Sequence, residues 1–413
     1  MSQSKSETIW YIHPYAGGPG VGRYDRPYHL AKHWKEKNVD SIILTPTFHH
    51  QASRKRSEGV EVIDGVKYHF IYSPEYKGNG LGRIINMFYF SIRLWWLNKK
   101  LERLYGKPDA VVFSSPHPYT YFSAKKIAKK YSSKLIFEVR DLWPLSLTEL
   151  AGVRESHPLV VLTSYIEKQA YKHSDYVVSL LPLTKEYMVN KGMKESKWSY
   201  IPNGISVKNH LLVSEEDTSH TSLLQVKKWK EEGKRVIIYA GALGIPNNLS
   251  TLLKALPQLN QDSYGVIIIG GGVLEEKLKI ESTGLGLSSN VKFFSQVEKK
   301  VISLLLEKCD IAYISLLEES IFRFGISPNK IFDYMYAGIP ILSAINAGND
   351  FITEASCGIS TSPTDHKSLS EAITTLLMKS DAELKALGEN GRNYVIDFHD
   401  YENLSNNYLK LIN

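Results

Sequence analysis

Ser327-Pro328-Asn329-Lys330-Ile331-Phe332-Asp333-Tyr334-Met335-Tyr336-Ala337-Gly338-Ile339-Pro340-Ile341-Leu342 sets a proline turn, a short helix, a small-residue break and an apolar strand end to end. The turn leads into the helix with a cation at its start, Lys330, and a carboxylate one turn on, Asp333. Free N–H groups and the macrodipole make a helix N-terminus attractive to phosphate. A lysine there adds a full charge, and a carboxylate further in accepts sugar hydroxyls. The combination suits a nucleoside diphosphate-sugar; an ordinary helix cap followed by a buried strand is the plainer alternative.

Outward from this run, the second half repeats one pattern. An apolar strand over 236–240 ends at Gly241-Ala242-Leu243-Gly244, and another over 266–269 ends at Gly270-Gly271-Gly272; strands over 311–315 and 339–342 follow. The first half behaves likewise, with strands expected at 8–12, 41–45, 110–113, 135–139, 176–180 and 198–201, and a helix around 25–36. Asp64-Gly65, between apolar runs 60–63 and 66–71, is a hairpin turn signal. Strands alternating with helices imply mostly parallel sheets covered on both faces.

With 413 residues the chain exceeds one typical core, so two domains are expected. The boundaries fall at 1–207 for the first domain, 208–232 for a polar linker or insertion, 233–392 for the second domain, and 393–413 for a last helix. Net charge is +7, which favours anionic partners such as phosphate or an anionic membrane face. It falls short of a nucleic-acid signature, and no nucleic-acid motif appears, so no nucleic-acid partner is expected. Cys309 and Cys357 are the only cysteines. With no metal-spaced cluster, they imply a reducing, cytoplasmic setting and no metal site. Residues 1–7 are polar without an apolar h-region, so secretion is not expected. No stretch reaches the about 18 uninterrupted apolar residues of a membrane span.

Tyr15-Ala16-Gly17-Gly18-Pro19-Gly20-Val21-Gly22-Arg23 follows the first strand and precedes a helix. Its glycines allow close approach to a phosphate or sugar, though their spacing is not the dinucleotide fingerprint. All three glycine loops stand at the C-terminal ends of strands, the edge where open α/β sheets bind ligands.

Taken together, Arg140-Asp141-Leu142-Trp143-Pro144, Ile201-Pro202-Asn203-Gly204-Ile205, Tyr239-Ala240-Gly241 through Asn248-Leu249, residues 267–272, Asn290-Val291-Lys292-Phe293 and the 327–340 run resemble, in order, retaining GT-B glycosyltransferases of family 4, the bacterial surface-polysaccharide branch. The resemblance implies an α/β fold of two Rossmann-like domains facing across a cleft, with the last helix returning to the first domain. It also implies a metal-independent hexosyl transfer with no cofactor. The donor would be a nucleotide-sugar, UDP by family habit, and the acceptor a saccharide or undecaprenyl-linked precursor of O-antigen or capsule type at the cytoplasmic face of the membrane.

Carried over by position, the donor-binding set is Gly18, Gly20, Gly241, Gly244, Gly271, Val297, Asn329 and Asp333. Asp333 takes the second acid of the E-x7-E motif; Gly325 stands where the first glutamate belongs, with Glu318 and Glu319 nearby. Ala242 and Asn247 occupy the positions of the family's usual basic pair, which leaves Arg323 and Lys330 to balance the departing diphosphate. His117, in Ser114-Ser115-Pro116-His117-Pro118, would contact donor sugar or acceptor hydroxyl, or else be structural. Asp141 would orient the acceptor or pair with Arg140; Trp143 and Pro144 shape the wall.

Two other readings share the architecture: a nucleotide-sugar 2-epimerase and a non-catalytic nucleotide-sugar-binding protein. A hydride-transfer enzyme ranks last, because the dinucleotide fingerprint is missing. Residues 81–105 carry a dense apolar run with Arg83, Lys99, Lys100 and Arg103 at its ends and Arg93 inside. They are either an interfacial helix on anionic lipid or a core helix with solvated ends.

Overall fold

Strands β1 (Thr8–Ile12), β2 (Asp40–Pro46), β3 (Gly59–Ile63), β4 (Val66–Ile71), β5 (Ala110–Ser115), β6 (Lys134–Val139), β7 (Tyr176–Ser179) and β8 (Trp198–Tyr200) make one sheet. Their order is β3-β4-β2-β1-β5-β6-β7-β8 in the computed structural model, which describes residues 7–78, 80–207 and 220–412. Every pairing is parallel except the β3–β4 hairpin. Asp64 and Gly65 both take positive φ in its turn, at 48° and 81°, as a two-residue hairpin of this twist requires.

The alternation along β1 explains the two-sided burial. Trp10 and Ile12 enter one core with residues of helices α2 (Leu81–Tyr105), α3 (Tyr121–Tyr131) and α4 (Pro158–His173). Ile9 and Tyr11 enter the opposite core with residues of α1 (Arg26–Glu36) and the terminal helix (Tyr401–Ile412). A short helix, α5 (Lys185–Asn190), precedes β8.

The second sheet holds β9 (Arg235–Ala240), β10 (Tyr264–Ile269), β11 (Val291–Phe294), β12 (Ile311–Ser315), β13 (Ile341–Ala344) and β14 (Gly358–Thr361). It is wholly parallel in the order β11-β10-β9-β12-β13-β14. Its longer helices are α6 (Thr221–Glu231), α7 (Leu249–Ala255), α8 (Glu275–Gly284), α9 (Lys299–Lys308), α10 (Asn329–Ala337), α11 (His366–Leu377) and α12 (Asp381–His399).

The chain divides into two units: residues 1–206, Phe324–Ser327 and 401–413 in the first, and 207–323 with 328–400 in the second. Three expectations change. Of the linker expected at 208–232, residues 208–219 lie outside the described residues, while Thr221–Glu231 is helix α6. Val226 and Trp229 are buried on that helix, a pair of apolar positions too sparse among the charges to announce a helix. The single helix expected over 393–413 is two. Asp400 is extended (φ −69°, ψ 132°), so residues 393–399 finish α12 in the second unit and only Tyr401 onward joins the first. Finally, Phe324–Ser327 belongs to the first unit, held by Leu183 N–H on the Phe324 carbonyl and by Asn203, which bonds Ser327 through backbone and side chain.

Candidate functional site

Strand order reverses at β1/β5 in the first sheet and at β9/β12 in the second. At such switch points neighbouring loops part and leave room for a ligand beyond the strand C-termini. Both loci carry the unusual chemistry of this chain.

In the second unit the loop after β9 is closed on itself. Tyr239 Oη donates to the Ala242 carbonyl at 2.8 Å, and Asn247 Nδ2 donates to the same oxygen at 3.0 Å. Lys330, in the first turn of α10, reaches into this loop. Its Nζ donates to Tyr239 Oη and to Asn247 Oδ1, both at 3.1 Å, and lies 4.5 Å from the Tyr239 ring centre. The half-buried ammonium loses hydration, which lowers its pKa to about 8. Asn247 therefore does not supply a charge as the family's lysine would; it orients one.

The neighbouring glycines serve different ends. A Cβ on Gly270 (φ +149°) would overlap the Gly241 carbonyl oxygen, and one on Gly272 would collide with the Leu243 backbone. Leu243 N–H bonds the Gly271 carbonyl at 3.0 Å, and Leu274 N–H bonds that of Leu243 at the same distance. Gly270 and Gly272 thus permit loop-to-loop packing. At Gly271 and Gly244 a Cβ would meet only Glu275 Oε2 at 3.6 Å and Pro246 Cδ at 3.7 Å, ordinary contact distances, so of the expected donor-binding glycines in this unit these two are not closed off by neighbouring atoms. Gly241 lies against the Lys330 ammonium.

Asp333, one turn beyond Lys330 on α10, is 3.2 Å from Lys299 Nζ, the opening residue of α9. That pair was not anticipated, and it holds the carboxylate at the helix surface. Val297 lies half-buried in the loop before α9, and Asn329 is exposed as the first residue of α10. Arg323 sits exposed on the 3-10 turn Ser320–Phe324 and donates to the Ser320 carbonyl at 2.6 Å. Glu318 accepts from Asn346 Nδ2 at 2.6 Å.

In the first unit, the glycine loop after β1 folds back on itself: Gly18 N–H bonds the Gly22 carbonyl at 3.1 Å, and Arg23 N–H bonds that of Gln51 at 3.3 Å. Gly18 and Gly20 line a cavity of about 500 Å³ with Gly22, Arg23, His50 and Ser53. Gly20 takes φ +64°, open to glycine without strain.

His117, just past β5, is fully buried. It stacks on Tyr119 with centroids 5.1 Å apart and meets the Tyr15 and Trp143 ring edges at 5.8 and 6.3 Å. Neither ring nitrogen has a hydrogen-bond partner among the described residues. Burial, with the Arg83 charge, lowers its pKa to about 3, so the ring is neutral at pH 7. Asp141 reaches solvent, while the Arg140 guanidinium lies 4.9 Å over the Tyr24 ring.

Sequence reasoning missed His13, His49 and His50, which join His117 around Tyr15. His13 Nδ1 accepts the Tyr15 N–H at 3.1 Å, leaving Nε2 to carry the proton of a neutral ring, with no partner. His49 Nε2 bonds the Ala16 carbonyl at 3.2 Å, leaving Nδ1 as an unpaired acceptor. Burial pushes His13 well down and takes His49 and His50 to about 4. The signal was available: each follows the end of β1 or β2, as His117 follows β5. Three of the four are buried and uncharged, while His50 is exposed at the cavity; such a donor–acceptor set suits sugar hydroxyls. Among the described residues no group of three or more His, Cys, Asp or Glu is placed to hold a metal ion.

Residues 223–394 match the family model of glycosyl transferases group 1, and residues 26–209 match that of glycosyltransferase family 4. The chain is 23% identical over 313 residues to the Pseudomonas aeruginosa protein named "Probable glycosyltransferase WbjE", covering 75% of this chain and 74% of that one. Its structure is similar to Anabaena HepE in complex with UDP, with TM-score 0.68, 13% identity and 98% of each chain covered. It is also similar to WaaG, a glycosyltransferase involved in lipopolysaccharide biosynthesis, with TM-score 0.64, 15% identity and 98% and 99% covered.

Proposed function

The chain belongs to the glycosyltransferases of GT-B fold and family-4 type, and on that premise we propose that it moves a hexosyl group from a UDP-sugar to a hydroxyl of a bacterial surface-polysaccharide precursor, lipid-linked through undecaprenyl, with retention at the anomeric carbon. The observation that carries this reading is Lys330, a desolvated cation held by Tyr239 and Asn247 at the start of α10. An ammonium fixed before the ligand arrives stabilises charge growing on a leaving diphosphate without reorganisation.

In this reading the second unit binds the donor. Lys330 and Arg323 face the diphosphate, Gly244 and Gly271 let backbone approach it, and Asp333 takes the ribose hydroxyls. The first unit holds the acceptor in the cavity lined by Gly18, Gly20 and His50, backed by the neutral imidazoles of His13, His49 and His117, with Asp141 at its solvent edge. The anomeric carbon loses its bond to the phosphate oxygen and gains one to the acceptor oxygen. The acceptor's proton passes to the leaving diphosphate on the same face, so the reaction needs no enzymatic nucleophile.

A thermal-shift panel of UDP, GDP and their sugars tests the donor, because a ligand that binds only the folded state raises its melting temperature. UDP and at least one UDP-sugar are expected to raise it, and a panel with no shift overturns the reading. Incubation of the stabilising UDP-sugar alone is expected to leave it unchanged; an isomerised product would identify a 2-epimerase instead.

A further inference from the structure

Helix α2 is apolar on two opposite faces. Met87, Phe90, Leu94 and Leu101 are buried against the first sheet. Leu81, Ile85, Tyr89, Ile92 and Trp96 are exposed, Ile92 at 58% and Trp96 at 74%. At about 100° per residue those five fall within an arc of about 80°, opposite the buried side. The same arc continues into Lys99 and Arg103, both exposed. The two readings of residues 81–105 therefore describe two faces of one helix.

The stripe is not alone. Helices α3 and α4 join α2 in covering the same sheet face. Ser123 Oγ on α3 donates to the Ser91 carbonyl on α2 at 2.6 Å, and Lys126 Nζ lies 3.8 Å over the Trp95 ring. Phe122 on α3, and Val161, Leu162 and Tyr165 on α4, add exposed apolar side chains to this layer. The three helices hold 11 Lys/Arg and 2 Asp/Glu, one of them the buried Glu167. The whole chain has 50 and 43, so the remainder holds 39 and 41 and is close to neutral. The excess positive charge of the molecule thus lies in the helices that expose apolar and aromatic side chains.

We propose that the outer face of α2, α3 and α4 is a docking surface for an anionic lipid bilayer. Ile85, Ile92 and Trp96 enter the headgroup boundary, while Lys99, Lys100, Arg103 and Lys129 meet lipid phosphates. Apolar contact without charge would serve a second copy of the chain equally well, but a surface this uniformly cationic repels its own copy and attracts an anionic one. No described helix is long and apolar enough to cross a membrane, so the contact is interfacial. The assignment goes beyond the donor chemistry and does not depend on it.

Cosedimentation of the full chain with vesicles tests it, comparing pure phosphatidylcholine with a mixture containing phosphatidylglycerol. Binding at least tenfold tighter to the anionic vesicles, weakened by salt and accompanied by a blue shift of tryptophan emission, is expected. Ile92→Glu with Trp96→Glu, and separately Lys99→Glu with Lys100→Glu and Arg103→Glu, are each expected to reduce that binding tenfold or more while UDP-induced thermal stabilisation is retained. Equal binding to neutral and anionic vesicles, or variants that bind like the parent, overturns the proposal. So does a concentration-dependent dimer in sedimentation that is lost in the Ile92/Trp96 variant while the parent ignores vesicles. Loss of the UDP shift in the parent chain would strike the donor reading and leave this one standing.

Discussion

Arg26 Nε donates to Glu138 Oε2 at 2.9 Å, and neither side chain reaches solvent. Tyr11 and Ser114 hydroxyls also donate to this carboxylate at 2.7 and 2.8 Å, as does Tyr408 of the terminal helix. Arg26 bonds the Ile201 and Pro202 carbonyls in addition. Burial alone would raise the Glu138 pKa, but Arg26, Arg140 and the tyrosine hydroxyls outweigh it and hold it at about 2. A buried ion is tolerable when each of its hydrogen-bonding positions is answered.

Removing one partner leaves the other charge stranded. Glu138→Ala is expected to cost about 3–5 kcal/mol in urea unfolding, and Tyr408→Phe about 1–3 kcal/mol. Because the folded pKa is depressed, the glutamate's contribution is present above the unfolded value near 4.5 and is lost as pH falls towards 2. The parent's stability should therefore fall over that window, more steeply than that of Glu138→Gln.

Glu167 behaves in the opposite sense. Burial raises its pKa to about 7 against hydrogen bonds from Tyr171 (2.8 Å) and Tyr187 (3.1 Å). A carboxyl whose folded pKa is raised favours the fold most below its unfolded value, and that contribution is lost as pH climbs to 7. Melting temperatures from pH 4.5 to 8 should show a decline worth roughly 3 kcal/mol that is absent in Glu167→Gln.

Lys330 ties the donor reading to pH. With its pKa at about 8 in the free protein, UDP affinity should weaken as pH rises through that value, by up to about tenfold per unit. Lys330→Ala should lose this dependence and bind UDP more weakly by about 1.5–3 kcal/mol, roughly 10- to 150-fold. Calorimetric titration at several pH values measures both.

The glycine pair after β10 separates packing from binding. Gly270→Ala should cost about 1–3 kcal/mol of stability, because a left-handed backbone and a carbonyl oxygen stand where its Cβ would go. Gly271→Ala should leave stability within about 0.5 kcal/mol of the parent, since its Cβ would meet only Glu275 Oε2 at an ordinary 3.6 Å, and weaken UDP binding instead.

Strands buried on both faces were easily legible, because continuous Ile, Val and Leu runs between turn signals have few other readings. The 327–342 run gave the turn, α10 and β13 in order. Two strands escaped. β11 and β14 are four-residue edge strands, and neither Val-Lys-Phe-Phe nor Gly-Ile-Ser-Thr carries a continuous apolar run. At the candidate site, the helix positions of Lys330 and Asp333 were legible, but their partners Tyr239, Asn247 and Lys299 come from a strand, a loop and another helix. The histidine cluster gathers four residues spread over more than 100 positions. No local pattern reports such a meeting; only the strand order brings β1, β2 and β5 side by side.

The first unit's dependence on Tyr401 to Ile412 also governs how the chain is made. Trp34 rests on Tyr408, and His29 stacks on Tyr401 at 4.7 Å, so these contacts await the last dozen residues. At about 5–20 residues per second, the ribosome needs roughly 10–40 s to add them after Ser206 has been joined. Through that interval Arg26 and Glu138 have no tyrosine from the C-terminus, and the nascent amino-terminal half waits, partly uncovered, for its own tail.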